Sequence, residues 1–347
     1  MNAGSRERSA MRRALDLART PGVPHGPNPR VGCVLLDAAG EVVAEGHHRG
    51  AGTPHAEADA LMAAGDRARG ATAVVTLEPC NHTGRTGPCA HALVAAGVRR
   101  VVYAQDDPSP LAAGGAETLR AAGVDVVGGL LADEAREVNP AWTFAVEHQR
   151  PYVTWKFAAT LDGRSAAPDG TSRWISSVAA RRDTHLLRQR CDVVLAGTGT
   201  VLVDDPELSA RDAADRPLPA DRQPLRAVMG LREVPARARV RNAVAETVLL
   251  RTRDPKEALA ELFARGGRHV LLEGGPRLAA AFLSQGYVDE VVAYVAPMLL
   301  GAGAAGVADL GVTTIADARR LEVVDVSTLG EGPDRNVRLI LTVPQEA

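Results

Sequence analysis

The chain is poor in aromatic side chains, with four Phe, three Trp and four Tyr in 347 residues. Proteins that grip single-stranded nucleic acid stack bases on rings and line a groove with positive charge. Few rings and a formal net charge of −2 therefore argue against a nucleic-acid partner. No apolar run reaches the roughly 18 residues of a membrane-spanning helix. The start, Met1-Asn-Ala-Gly-Ser-Arg-Glu-Arg, lacks the apolar core of a secretory signal. We therefore expect a cytoplasmic chain with no membrane partner. Cysteines number only four, as suits a reducing compartment in which thiols stay free. Lysine is nearly missing, since Lys156 and Lys256 are the only lysines among 40 basic residues.

Where arginine is the default, a retained lysine invites a reason. Lys256 lies in Arg253-Asp-Pro-Lys-Glu-Ala, an exposed helix start. Lys156 lies in Tyr152-Val-Thr-Trp-Lys-Phe-Ala, a largely apolar strand, where a compact ammonium suits a site that a planar guanidinium would not fit. A lysine snorkelling at a strand edge is the alternative.

What the sequence does contain is a metal motif. His55-Ala-Glu57 is followed by Pro79-Cys80 and, later, Cys89. One imidazole and two thiolates fill three corners of a zinc tetrahedron and leave the fourth for a water whose proton is easily lost. His55, Cys80 and Cys89 are thus the candidate metal ligands, and Glu57, in the first turn of a helix, is the candidate proton shuttle. A closed structural zinc site is the competing reading, but such sites usually close through short Cys-x-x-Cys pairs, and no such pair is present. Nucleobase deaminases carry this signature, most often with Pro-Cys-x-x-Cys. Here the second thiol is delayed by Asn81-His-Thr-Gly-Arg-Thr-Gly-Pro88. That polar, glycine-bearing insert puts the fork of Arg85 beside His82 and suits an anion, although a plain solvated loop reads similarly.

A length of 347 residues suits two domains of ordinary size. The first half alternates helix and strand. Ser9–Arg19 is predicted as a helix, Val31–Asp37 and Val42–Glu45 as a hairpin, and His55–Gly65 as the metal-bearing helix. Thr72–Thr76 and Arg99–Ala104 read as strands, and Cys89–Ala96 and Ala113–Ala122 as helices. A thiolate at Cys89 would gain from the positive end of its helix. Glu147-His-Gln-Arg-Pro151 reads as a linker. Beyond it, strands are predicted near 152–157, 192–196, 225–229, 247–251, 269–273, 290–295 and at both ends of 321–343. Helices are predicted at 177–190, 255–264 and 277–285, and Arg211–Pro224 as an irregular loop. Gly197-Thr-Gly-Thr200 lacks the third glycine of a dinucleotide fingerprint. Glu273-Gly-Gly-Pro276 opens a helix whose free N–H groups, beside Gly274 and Gly275, suit a pyrophosphate.

Together these segments resemble the bifunctional deaminase–reductase family of riboflavin biosynthesis. Pro27-Asn-Pro-Arg-Val-Gly32 and Thr76-Leu-Glu-Pro-Cys80 through Cys89 match its deaminase part. Thr160-Leu-Asp-Gly163, Trp174-Ile-Ser-Ser177, Val203-Asp-Asp-Pro206 and Glu273-Gly-Gly-Pro276 match its reductase part. The resemblance implies an α/β protein: a cytidine-deaminase-like three-layer domain over residues 1–146, then a dihydrofolate-reductase-like domain over 151–347. It implies zinc deamination of 2,5-diamino-6-(5-phosphoribosylamino)pyrimidin-4-one, then NADPH reduction of the ribosyl group to a ribityl chain, in a homo-oligomer of at least two copies. Asn28, His48, His82, Arg85 and Thr86 would hold the deaminase substrate, with His47 solvent-facing on the opposite face. Lys156 and Glu273 would polarise or protonate the sugar. Ala159, Trp174, Thr200, Asp204, Gly275, Pro276, Arg277, Leu278, Ala279, Ala280 and Ala281 match cofactor positions. Ser172, Leu208 and Glu273 match substrate positions, with Arg188 and Arg211 as phosphate anchors. Relatives commonly carry Asp-Ser after the strand that here ends in Gly230-Leu231, so the hydroxyl expected at the cofactor is missing. Two alternatives stay open: a deaminase of nucleosides or nucleic acid, and a second domain without catalysis.

Overall fold

In a computed structural model of the chain, residues 4–24, 26–82 and 87–344 are described. The chain divides into two compact units, Met1–Gln149 and Arg150–Ala347.

The first unit is built on a five-stranded sheet of order β2-β1-β3-β4-β5. Its strands are β1 (Gly32–Leu36), β2 (Val42–His47), β3 (Thr72–Leu77), β4 (Arg100–Gln105) and β5 (Asp125–Val127). β1 runs antiparallel to β2 and β3, while β3, β4 and β5 are mutually parallel. Every residue of β3 is buried, as expected of a strand covered on both faces. Its alternation divides the core: Ala73 and Val75 pack with Ala60 and Leu93, and Val74 packs with Met11 and Leu15. The latter two sit on α1 (Ser5–Ala18), which begins a turn earlier than its apolar pattern suggests. The other layer holds α2 (Ala56–Ala64), α3 (Cys89–Ala95) and α4 (Gly115–Ala121). A three-layer α/β unit results. The stretch expected as a linker is in part helical, since α6 (Pro140–His148) follows α5 (Ala132–Arg136) and runs to His148. Trp142 and Phe144 bury their rings there, which outweighs the polar composition of the helix's last turn.

The second unit holds an eight-stranded sheet of order β12-β13-β11-β6-β10-β7-β8-β9. The strands are β6 (Tyr152–Thr160), β7 (Val193–Gly197), β8 (Leu225–Met229), β9 (Thr247–Leu250), β10 (His269–Leu272), β11 (Glu290–Ala296), β12 (Glu322–Leu329) and β13 (Asn336–Thr342). From β11 to β9 all neighbours are parallel, and β13 and β12 are added antiparallel. On one face α9 (Pro255–Ala264) and α10 (Pro276–Ser284) bury Leu259, Leu262 and Phe282 against Val153, Trp155 and Leu272. On the other, α7 (Val178–Arg190) lays Ala180 against Val292 and Tyr294. In the Gly197-Thr-Gly-Thr200 segment, Gly197 caps α8 (Thr198–Asp204) and the rest forms its first turn. All four cysteines are free.

Candidate functional site

The metal motif converges. Cys80 follows the end of β3, Cys89 opens α3, and His55 caps α2. One ligand atom from each lies within 4.8 Å of the others. His55 Nδ1 is 3.6 Å from Cys80 Sγ and 3.4 Å from Cys89 Sγ, so Nδ1 is the nitrogen turned to the sulfurs. The Cys89 backbone N–H, 3.5 Å from Cys80 Sγ, points at Cys80 rather than at its own sulfur. The helix start thus favours the thiolate of Cys80 as well. The Cys80 thiol is drawn down to about 4, first by the hydrogen bond from Cys89 and further by His55. Two buried sulfurs and one imidazole, with no fourth ligand in the cluster among the described residues, fit an open zinc site.

Glu57 is 4% exposed. Burial, with the nearby Cys80 charge adding to it, raises its carboxyl to about 7, where an acid can both take and give a proton. His48 is buried; its Nδ1 lies 3.0 Å from the Pro54 carbonyl and its Nε2 3.2 Å from Asn28 Nδ2. Donation from Nδ1 leaves Nε2 to accept from the amide, and burial lowers the imidazole pKa, keeping the ring neutral. The His48 and His55 rings meet edge to face at 5.3 Å. Asn28, His48, His55 and Glu57 therefore share one site. His47, expected to face solvent, is half-buried, and its N–H donates to Asp59 at 3.1 Å. His82 is exposed. Arg85 and Thr86 lie outside the described residues.

Two residues not named as site candidates from the sequence, one of them inside the Thr76–Cys80 motif, hold this site. Asn139 precedes α6, but instead of capping that helix its side chain clamps the Asn28 loop, accepting from Arg30 N and donating to Arg30 O, both at 2.8 Å. Glu78, buried beside Cys80, accepts from Ala116 N at 2.9 Å and Asp107 N at 3.3 Å. A Cβ on Gly115 would come within 1.7 Å of the Pro79 carbonyl, so glycine lets α4 close against the cysteine turn.

In the second unit, Arg188 of α7 reaches Glu273, just past β10, with a two-pronged contact of 2.6 and 2.9 Å, and its Nη1 donates to Ser209 O at 2.8 Å. Three of its five N–H groups are thus engaged and two are left for a ligand. Burial pushes the Glu273 carboxyl up, but Arg188 and then Lys156 more than reverse this and hold it below the ordinary range. The ionised form of Glu273 is thereby favoured beside the two cations. The Lys156 ammonium, 5.6 Å from the Tyr294 ring, has its pKa lowered by burial, against the pull of Glu273. Gln189 donates to Arg211 O at 2.8 Å. Leu208, buried with φ 56°, completes a loop whose strained backbone fits a binding turn. Arg211 is shared with Glu207 at 3.6 Å and Asp215 at 3.4 Å. Ser172 is half-buried.

Next to these groups lies a cavity of about 810 Å³, lined by Thr200, Gly275, Pro276, Arg277, Leu278 and Ala281 among others. That volume suits a large cofactor. Ala279 and Ala280 are turned to the interior, Ala279 within the apolar core. Ala159, Trp174 and Asp204 are not among the lining residues. Trp174 is 64% exposed, hence not core, and Arg181 stacks on it at 4.3 Å. Thr198, Arg232, Thr252 and Arg253 line the cavity without having been singled out by sequence. The glycine, threonine and arginine content of the lining fits a phosphate-bearing dinucleotide.

An open zinc site of deaminase type in a three-layer α/β unit, followed by a unit with a dinucleotide cavity, defines a deaminase joined to a reductase. The profile described as the cytidine and deoxycytidylate deaminase zinc-binding region matches residues 5–105, and that of the RibD C-terminal domain matches residues 151–333. The chain is 49% identical over 315 residues to the riboflavin biosynthesis protein RibD of Mycobacterium tuberculosis, covering 90% of this chain and 91% of that one. It superposes on Acinetobacter baumannii RibD with a TM-score of 0.88 at 36% identity, covering 97% and 98% of the two chains. A diaminohydroxyphosphoribosylaminopyrimidine deaminase/5-amino-6-(5-phosphoribosylamino)uracil reductase of Thermotoga maritima matches with a TM-score of 0.83 at 30% identity, covering 98% of this chain and 99% of that one. The chain belongs to the RibD family of riboflavin biosynthesis proteins. It is a bifunctional enzyme, a deaminase and a reductase, with zinc and NADPH as cofactors and a small-molecule substrate. The units are cytidine-deaminase-like and dihydrofolate-reductase-like. No helix among the described residues is long and apolar enough to cross a membrane.

Proposed function

We propose that residues 1–146 deaminate 2,5-diamino-6-(5-phosphoribosylamino)pyrimidin-4-one and that residues 151–347 reduce the ribosyl group of the product to a ribityl chain. The observation that carries the first step is the buried Glu57, raised to about 7, beside three clustered ligands. Zinc, when held by His55, Cys80 and Cys89, supplies a Lewis acid that activates water. Glu57 takes a proton from water and hands it to the departing amine. The Asn28 amide and neutral His48 orient the ring, while His82, Arg85 and Thr86 reach its ring or phosphate.

For the second step, NADPH bound in the cavity against Gly275 to Ala281 supplies a hydride. Lys156 gives the sugar its proton, a task eased by the burial that loosens it. Glu273 holds Lys156 and Arg188 in place, and the two N–H groups that Arg188 has to spare, with Arg211, take the substrate phosphate. Ser172 and Leu208 line the substrate's path; Ala159, Trp174 and Asp204 flank the cofactor. We further propose a cytoplasmic homodimer or larger oligomer. β12 ends its sheet with Val323, Val324 and Val326 60–62% exposed, an apolar edge that a second copy would cover.

The two readings separate in one experiment. Glu57→Gln should stop ammonia release yet oxidise NADPH on already deaminated substrate, and Lys156→Ala should do the reverse. Loss of both activities in either variant would refute the assignment of one reaction to each unit.

A further inference from the structure

Of the 19 residues lining the cavity in the second unit, three are arginines, Arg232, Arg253 and Arg277, and none is acidic. Among the described residues none of these three guanidiniums enters an ion pair or donates a hydrogen bond. Such unspent cations at the rim of one cavity attract an anion with several charges.

Their places along the sheet differ. Lys156 stands on β6 and Glu273 just past the neighbouring β10, and Arg277 starts α10 directly after. Arg232 follows β8 and Arg253 follows β9, the last strand on that side. β10 and β9 are three strand spacings apart, about 14 Å. A dinucleotide lying across these strand ends, with its nicotinamide near Lys156 and its diphosphate over Gly275, brings its adenosine end to Arg232 and Arg253. The site is built rather than incidental. Gly230 has φ +141°, and a Cβ there would meet Thr198 Oγ1 at 2.5 Å, so only glycine lets the chain turn at this point. Arg251 donates to the carbonyls of Leu231 at 3.4 Å and Arg232 at 3.3 Å. Arg232 in turn sits over the Gly199 backbone, its Nη2 3.0 Å from where a Cβ would be. Leu231, in the place of the missing hydroxyl, is 55% exposed at this rim and offers no hydrogen bond.

We propose that Arg232 and Arg253 form the clasp that reads the ribose 2′-phosphate of NADPH and so set its preference over NADH, in place of the absent hydroxyl. A carboxylate at this end of a dinucleotide site selects the free 2′-hydroxyl, and an arginine selects the phosphate; this rim has the second chemistry and not the first. The proposal rests on the reductase reading of the second unit.

The test is direct binding, by calorimetry, of NADPH, NADH, 2′,5′-ADP and 5′-AMP to the full chain. Wild type should favour NADPH over NADH and 2′,5′-ADP over 5′-AMP. Arg232→Ala and Arg253→Ala should each weaken NADPH and 2′,5′-ADP by about tenfold or more and leave NADH and 5′-AMP unchanged, with the lysine variants recovering part of the loss. Discrimination that survives in both alanine variants, or an equal loss for all four ligands, would overturn the clasp while leaving the reductase reading intact. Wild type that binds neither dinucleotide would overturn that reading and the clasp with it. Thermal melts identify a variant that fails to fold, and the lysine variants then decide the matter through their NADPH to NADH ratio.

Discussion

Replacing Glu273 by Gln removes one negative charge from a site where two cations depend on it. Arg188 contacts it at 2.6 and 2.9 Å, with side-chain exposures of 13% and 10% for the two partners, and Lys156 feels its charge. Breaking a buried pair on one side strands the other charge, which costs about 3–5 kcal/mol. In a unit of this size each kcal/mol lowers the melting temperature by about 2–4 °C, so the second unit should melt about 6–20 °C lower. The loss has a pH signature. Glu273 has its pKa lowered on folding, so the stability it contributes is present above the ordinary carboxylate value near 4.5 and is lost as pH falls through the lowered folded value. Wild type should therefore lose stability over that acid window, whereas Glu273→Gln should start lower and lack this component. Without Glu273 the Lys156 pKa should fall further, moving the alkaline limb of NADPH oxidation to lower pH, while ammonia release stays unchanged. Calorimetric melts between about pH 3 and 7, the span of the carboxylate titration, with NADPH oxidation followed at higher pH, provide the assay. An unshifted melting temperature together with an unshifted pH profile would refute the coupling of Glu273 to Arg188 and Lys156.

Cys80→Ser and Cys89→Ser should each deplete zinc, measured by elemental analysis, and abolish ammonia release, because the thiolates supply much of the metal affinity; full activity in a zinc-free Cys89→Ser protein would contradict the site. Asn139→Ala leaves Arg30 N and O without their clamp, a cost of about 1–3 kcal/mol. The Asn28 loop should loosen, seen as a raised KM for deamination with zinc content intact, and an unchanged KM would show that the loop holds itself.

Much of the chemistry is legible in residue type and spacing. His-x-Glu and Pro-Cys are local patterns, set by the metal's need for particular donor atoms, and a strand or helix start places such residues predictably. The α/β alternation is equally readable, because β3 and β7 are apolar runs and α9 begins Asp254-Pro255, a cap followed by a favoured first residue. The helix through Glu147 escapes such a reading because tertiary burial of Trp142 and Phe144 overrides a polar end. The Leu231 departure is visible in the sequence, but the groups set to compensate for it are not. Arg232 and Arg253 follow different strands, and only the parallel pairing of β8 with β9, Arg226 opposite Thr247 through Met229 opposite Leu250, brings the two to one edge. The same holds for Arg188 with Glu273 and for Asn139 with Arg30, partners far apart in the chain. Residue type and local spacing state which atoms a metal needs, so the sequence alone determined the metal ligands and marked Glu57 as the candidate proton shuttle, while the nicotinamide cofactor was legible only through the resemblance of several motifs to one family. Which charges neutralise one another, which stay unspent at a cavity rim and which side chains clamp a distant loop depend on strand order and register, and these only the tertiary structure decided.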